Sequence, residues 1–80
     1  MKKEELKNAV KDTVFKLRKG GYIKGMGTNK YRLMDANHSP IKNLESQVVE
    51  VLKIENFIEI DGLVRVLTDK GKTFEFPKNY

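Results

Sequence analysis

Apolar positions recur at helical spacing first in Lys3 to Lys19. There Leu6, Val10, Thr13, Val14 and Leu17 share one face, with Ala9 on its flank. Lys7, Lys11 and Arg18 form a stripe beside that face, Glu5 and Asp12 lie on the other side, and Phe15 points away from the core. Gly20-Gly21 predicts the end of the helix, because glycine accepts the left-handed cap at little cost. A second helical pattern runs from about Leu44 to Glu55, with Leu44, Val48, Val51 and Leu52 as its main stripe. Val49 and Ile54 widen it, which predicts deeper burial than the first helix has.

Between and after the helices the period drops to two. Tyr22-Ile23-Lys24 predicts a short strand, and Gly25 to Asn29 a turn. Lys30 to Asp35 predicts a strand with Tyr31, Leu33 and Asp35 on one face and Lys30, Arg32 and Met34 on the other. Ala36-Asn37-His38-Ser39 turns the chain and Pro40 to Leu44 returns as a hairpin strand. The competing reading makes Ser39 an N-cap and Pro40 the first helical residue. The hairpin is preferred, because Asn43 is also a good N-cap and the apolar helical face begins just after it. Phe57 to Ile60 and Leu63 to Thr68 predict a second hairpin around Asp61-Gly62. Asp69-Lys70-Gly71 predicts a further turn, and Lys72 to Phe76 an edge strand stopped by Pro77.

The order is α-β-β-β-α-β-β-β, a single α+β domain over residues 1–80 with two helices packed on antiparallel strands. An internal pseudo-repeat is also expected. Val14, Leu17, Tyr22 and Ile23 match Val49, Leu52, Phe57 and Ile58 at one offset, and Leu33 and Asp35 match Leu67 and Asp69 one residue out of step.

Size and charge then narrow the function. Eighty residues without cysteine exclude disulfides and thiolate metal sites. They leave a core of modest stability, for which homodimerisation is one remedy. No apolar run reaches the length of a membrane span, and the charged N-terminus has no signal-peptide core. A cytoplasmic protein without a membrane partner is expected. Through Lys42 there are eleven Lys/Arg and four Asp/Glu, a balance of +7; from Asn43 onward there are five and seven, a balance of −2. Such asymmetry can mark a footprint for a polyanion.

The candidate chemistries mostly fail on context. The glycines at 25 and 27 follow a helix and precede a strand, the reverse of a dinucleotide fingerprint. Asp35, Asn37 and Ser39 begin like a calcium loop, but Pro40 stands at the required glycine and Ser46 at the required glutamate. Gly71-Lys72-Thr73 resembles the end of a phosphate loop but lacks its first glycine and the helix that should follow. The lone His38 sits in a turn and cannot build a zinc site of ordinary composition. A non-enzymatic protein without cofactor, metal or small-molecule substrate is expected. The leading expectation is a nucleic-acid-binding accessory module, DNA or RNA, contacting phosphates through Lys7, Lys11, Arg18, Lys24, Lys30 and Arg32. Tyr22 or Tyr31 would stack on a base. The alternative is a homodimeric interaction module using Phe15, Phe74 and Phe76.

Three resemblances bear on this reading. Helix, three strands, helix over Lys3 to Glu55 is similar to the double-stranded-RNA-binding domain, which implies RNA contacts from basic residues opening the second helix. Here that helix opens Leu44-Glu45-Ser46-Gln47. Leu63 to Gly71, ending Leu-Thr-Asp-Lys-Gly, resembles the wing of winged-helix regulators, which need three helices before it where two are predicted. Arg32-Leu33-Met34-Asp35 with Pro40-Ile41 resembles a stretch of small uncharacterised bacterial and mobile-element proteins, and implies no function.

Overall fold

The structure is a computed structural model and describes residues 2–78. Its order is α1 (Lys3–Leu17), β1 (Tyr22–Gly27), β2 (Lys30–Met34), β3 (Pro40–Leu44), α2 (Ser46–Ile54), β4 (Ile58–Asp61), β5 (Val64–Leu67) and α3 (Asp69–Thr73). The five strands form one antiparallel sheet in the order β3-β2-β1-β5-β4. This is the expected α+β class, with one difference at the C-terminus.

One sheet face is covered by the helices. Val10, Val14 and Leu17 of α1 and Val48, Val49 and Leu52 of α2 meet Ile23, Leu33, Leu44, Ile58 and Leu67 in a single buried core. Thr13 is buried among them and spends its hydroxyl on the Ala9 carbonyl at 2.7 Å. Both α1 and α2 therefore lie on one side, and the other, open face of the sheet carries neither of them; Met34, which shares that second face with Arg32, is nonetheless buried at its Tyr22 end.

Turn chemistry sets the register. In β1 the chain runs on past Lys24 to Gly27, and the pairing with β2 slips between Gly25 and Gly27. Asn29 then closes the hairpin at φ +57°. The β2–β3 turn is held by Asp35, whose carboxylate accepts the amides of Asn37 at 2.8 Å and Ser39 at 2.9 Å. Pro40 opens β3, as the hairpin reading requires. Asn43 is a β3 residue and not the cap of α2; that helix starts at Ser46 after an extended Glu45. It ends in a Schellman cap: Asn56 has φ +60°, its amide reaches the Lys53 carbonyl, and that of Phe57 reaches Leu52. The β4–β5 loop is Gly62-Leu63 rather than Asp61-Gly62, because only Gly62 takes positive φ and it stands first in the loop.

The predicted last strand is not a strand. Thr68 accepts the Gly71 amide and opens the short helix α3, so Asp69-Lys70-Gly71 is helix rather than turn. The Leu-Thr-Asp-Lys-Gly run is thus a helix start and not a wing. Residues 74–77 run back over α1 outside the sheet. The pseudo-repeat holds for core positions only. Val14 and Val49, Leu17 and Leu52, Ile23 and Ile58, and Leu33 and Leu67 are all buried. However, Asp35 closes a hairpin turn where Asp69 begins a helix, and β1 is central where β4 is an edge.

Candidate nucleic-acid interface

Strand pairing aligns one residue from every strand across the open face: Asp61, Val64, Lys24, Arg32 and Asn43. Paired residues on antiparallel strands share a face, so Lys24 and Arg32 stand side by side. Lys30 lies two positions before Arg32 on the same face, and Tyr22 and Met26 flank Lys24. The expected alternation of β2 is therefore correct for Lys30 and Arg32 against Tyr31 and Leu33. Asp35 falls outside the strand.

No carboxylate neutralises this group. Lys24, Lys30 and Arg32 take part in none of the ion pairs found among the described residues. Arg32 donates from Nε to the side-chain oxygen of Asn43 at 3.3 Å, which orients the guanidinium without cancelling its charge. Lys30, Arg32, Asn43 and Met26 border a cleft of about 370 Å³ at this end of the sheet. At the other end of the basic strip the Tyr22 hydroxyl lies 2.8 Å from His38 Nδ1, with the two rings 5.6 Å apart. The acidic residues of the face, Glu59 and Asp61, lie on β4 at the far edge. The charge asymmetry of the sequence thus becomes a gradient across one surface, from basic β2 to acidic β4.

The six basic candidates do not share that surface. Lys24, Lys30 and Arg32 come together, whereas Lys7 and Lys11 belong to α1 on the opposite side of the sheet. Arg18 is engaged in the fold: Nε donates to the Gly71 carbonyl at 3.1 Å and a terminal nitrogen to the Phe74 carbonyl. Its guanidinium also covers the Phe15 and Phe76 rings at 5.3 and 6.0 Å. Tyr31 faces the helix side and carries Arg65 over its ring at 5.1 Å, so it is no stacking platform on the open face.

Two of the three candidate phenylalanines, Phe74 and Phe76, are likewise drawn inward. Phe74 and Phe76 are half-buried, Phe15 and Phe76 meet edge-on at 5.7 Å, and Phe57 packs on both Phe74 and Phe76. Phe15 keeps 42% exposure. The edge strand expected near Phe74 and Phe76 does not exist, and the open edges are β3 and β4.

Among the described residues no helix is long and apolar enough to cross a membrane, and no cluster of three or more His, Cys, Asp or Glu is present. His38 and Asn43 were not among the sequence candidates. His38 carries no periodic signal, and Asn43 looked like a helix cap. No protein-family model, no curated protein and no solved structure matches the chain.

Proposed function

We propose that this chain is a non-catalytic nucleic-acid-binding accessory module whose open sheet face contacts phosphates through Lys24, Arg32 and Lys30. The supporting observation is the direct cross-strand pairing of Lys24 with Arg32 without an intervening acid. Like charges placed directly opposite on a sheet destabilise it. A phosphate backbone laid across the pair relieves that repulsion and releases condensed counterions.

The shape favours a single strand. A duplex major groove is ~12 Å wide and admits one helix or a two-stranded ribbon. A five-stranded sheet spans roughly 19 Å between its edge strands at ~4.8 Å per step. A single strand can instead lie across a flat face, with Tyr22 offering its ring to a base.

Fluorescence anisotropy with labelled single-stranded and duplex oligonucleotides tests this reading. Three phosphate contacts predict a log–log salt slope of about −2 for single strands. Absence of binding to either form at low salt would overturn it. A homodimeric module is the alternative, and it rests on exposed Phe15 of α1, Ile54 of α2, and Ile60 and Leu63 of the β4–β5 hairpin, since Phe74 and Phe76 are half-buried. Light scattering that returns a monomer at high concentration removes it.

A further inference from the structure

A cleft of about 370 Å³ opens at the β1–β2 hairpin end of the basic strip, with Met26, Asn29, Lys30, Arg32 and Asn43 among its walls and no Asp or Glu. Strand register puts Arg32 of β2 directly opposite Asn43 of β3. The hydrogen bond from Arg32 Nε to Asn43 Oδ1, 3.3 Å long, therefore runs between two wall residues and fixes the guanidinium at the cleft. Both terminal nitrogens of that guanidinium lack a partner among the described residues, and no carboxylate pairs with it or with Lys30. With its oxygen spent on Arg32, the Asn43 side chain keeps its NH2 group as a donor. Asn29, at φ +57°, brings a second side-chain amide from the turn.

Donors thus converge on this cleft from β2, β3 and the β1–β2 turn, and no wall residue supplies an anionic acceptor. A phosphodiester inside a strand offers two unbridged oxygens and a single negative charge. A phosphate monoester at a strand end offers three oxygens and a charge of about −1.5 to −2 at neutral pH. A planar guanidinium fork beside a lysine suits the monoester better, through two parallel hydrogen bonds and an added point charge. Size agrees. At ~30 Å³ per water-sized group the cleft accepts about twelve heavy atoms, a phosphate with one sugar. Met26 gives that sugar an apolar neighbour, and the base stays outside.

We infer that the cleft holds the terminal phosphate monoester of a nucleic-acid strand whose backbone runs on past Arg32 toward Lys24. This rests on the nucleic-acid-binding function proposed above and adds to it a preference for phosphorylated strand ends.

Fluorescence anisotropy at low salt compares three internally labelled single strands of one sequence, each of about 12 nucleotides. One carries a 5′-phosphate, one a 3′-phosphate, and one hydroxyls at both ends. At least one phosphorylated strand should bind about fivefold tighter or more than the hydroxyl-ended strand. Lys30→Gln and Asn43→Asp, both at exposed positions, should each cut that ratio to about twofold or less. Lys24→Gln lies outside the cleft and should weaken all three strands while keeping the ratio. A smaller gain from both phosphorylated ends overturns the strand-end site and leaves the phosphate-contacting face standing. A ratio that survives either cleft variant, or collapses equally in Lys24→Gln, overturns the site in the same way. Inorganic phosphate, titrated by NMR, should shift the Lys30 and Asn43 amides only at millimolar concentration or above. Phosphate binding as tightly as the phosphorylated strand makes this a free-phosphate site and overturns the strand-end assignment. Absence of binding by all three strands overturns the proposed function together with the site.

Discussion

Lys24 and Arg32 face each other directly across β1 and β2 on the open side of the sheet, two like charges at adjacent positions. Each is flanked in the same row by an uncharged residue, Val64 on one side and Asn43 on the other. The nearest acid in that row, Asp61, lies beyond Val64 on β4. A row with this order is poorer for stability than one with a carboxylate at either position.

Lys24→Glu therefore separates stability from binding. It converts a repulsive cross-strand pair into an attractive one and should raise unfolding free energy by about 0.5 kcal/mol at low salt. The same change should weaken any polyanion bound to this face. Urea melts at low and high salt check the first outcome; a destabilised variant would show that the two side chains do not sense each other.

Arg18 fastens the C-terminal segment to α1 through the Gly71 and Phe74 carbonyls. Arg18→Gln should cost roughly 1.5–3 kcal/mol, the range for hydrogen bonds to a charged group, and should expose Phe76. Chemical denaturation measures the loss. Nucleic-acid affinity of the remaining folded protein should not change, which distinguishes Arg18 from Lys24 and Arg32.

Gly71 has no room for a side chain. A Cβ there would overlap the Phe57 carbonyl oxygen and lie 2.8 Å from the Leu67 side chain. Gly71→Ala should lift α3 off the sheet and cost about 2 kcal/mol or more, as overpacking does, read as a fall in Tm. Gly62→Ala is also unfavourable, through its φ of +67° and not through contact, since nothing lies near its Cβ position.

Asp12 provides a pH dependence of definite sign. The hydrogen bond from Lys16 lowers its pKa, partial burial opposes the shift, and Lys42 lowers it further. A carboxylate more acidic in the folded state stabilises above its unfolded pKa of ~3.9, and that contribution is lost as pH falls through the lower folded value. Asp12→Asn should thus be slightly less stable than the parent at neutral pH and equal to it in strong acid. The difference should be small, because the side chain is 47% exposed and solvent screens the pair.

The two long helices and both hairpins were legible in the sequence, since each buries a periodic apolar face in the common core. The α3 segment was not. Lys72 to Phe76 alternates polar and apolar residues as a strand does, and Phe74 is indeed extended at φ −60°, ψ 130°. What decides its fate is distant: Phe15 of α1, Arg18 at its C-cap and Phe57 after α2 hold it away from any strand. The site was half legible for a similar reason. Alternation along β2 put Lys30 and Arg32 on one face, but only register could add Lys24 and Asn43 to them. Charge counting grouped Lys7, Lys11 and Arg18 with them because it ignores which side of the sheet a helix occupies.

The most direct measurement compares two charge reversals with one probe. An oligonucleotide of about 12 nucleotides, within the site size of a single-strand platform, is titrated against Lys24→Glu and Lys11→Glu at low salt. Both variants lower the net charge equally, but only Lys24 lies on the open face. Lys24→Glu is expected to lose about tenfold or more in affinity, while Lys11→Glu stays within about twofold of the parent. Equal losses in both would contradict this expectation, because binding would then follow net charge and not the Lys24–Arg32 face.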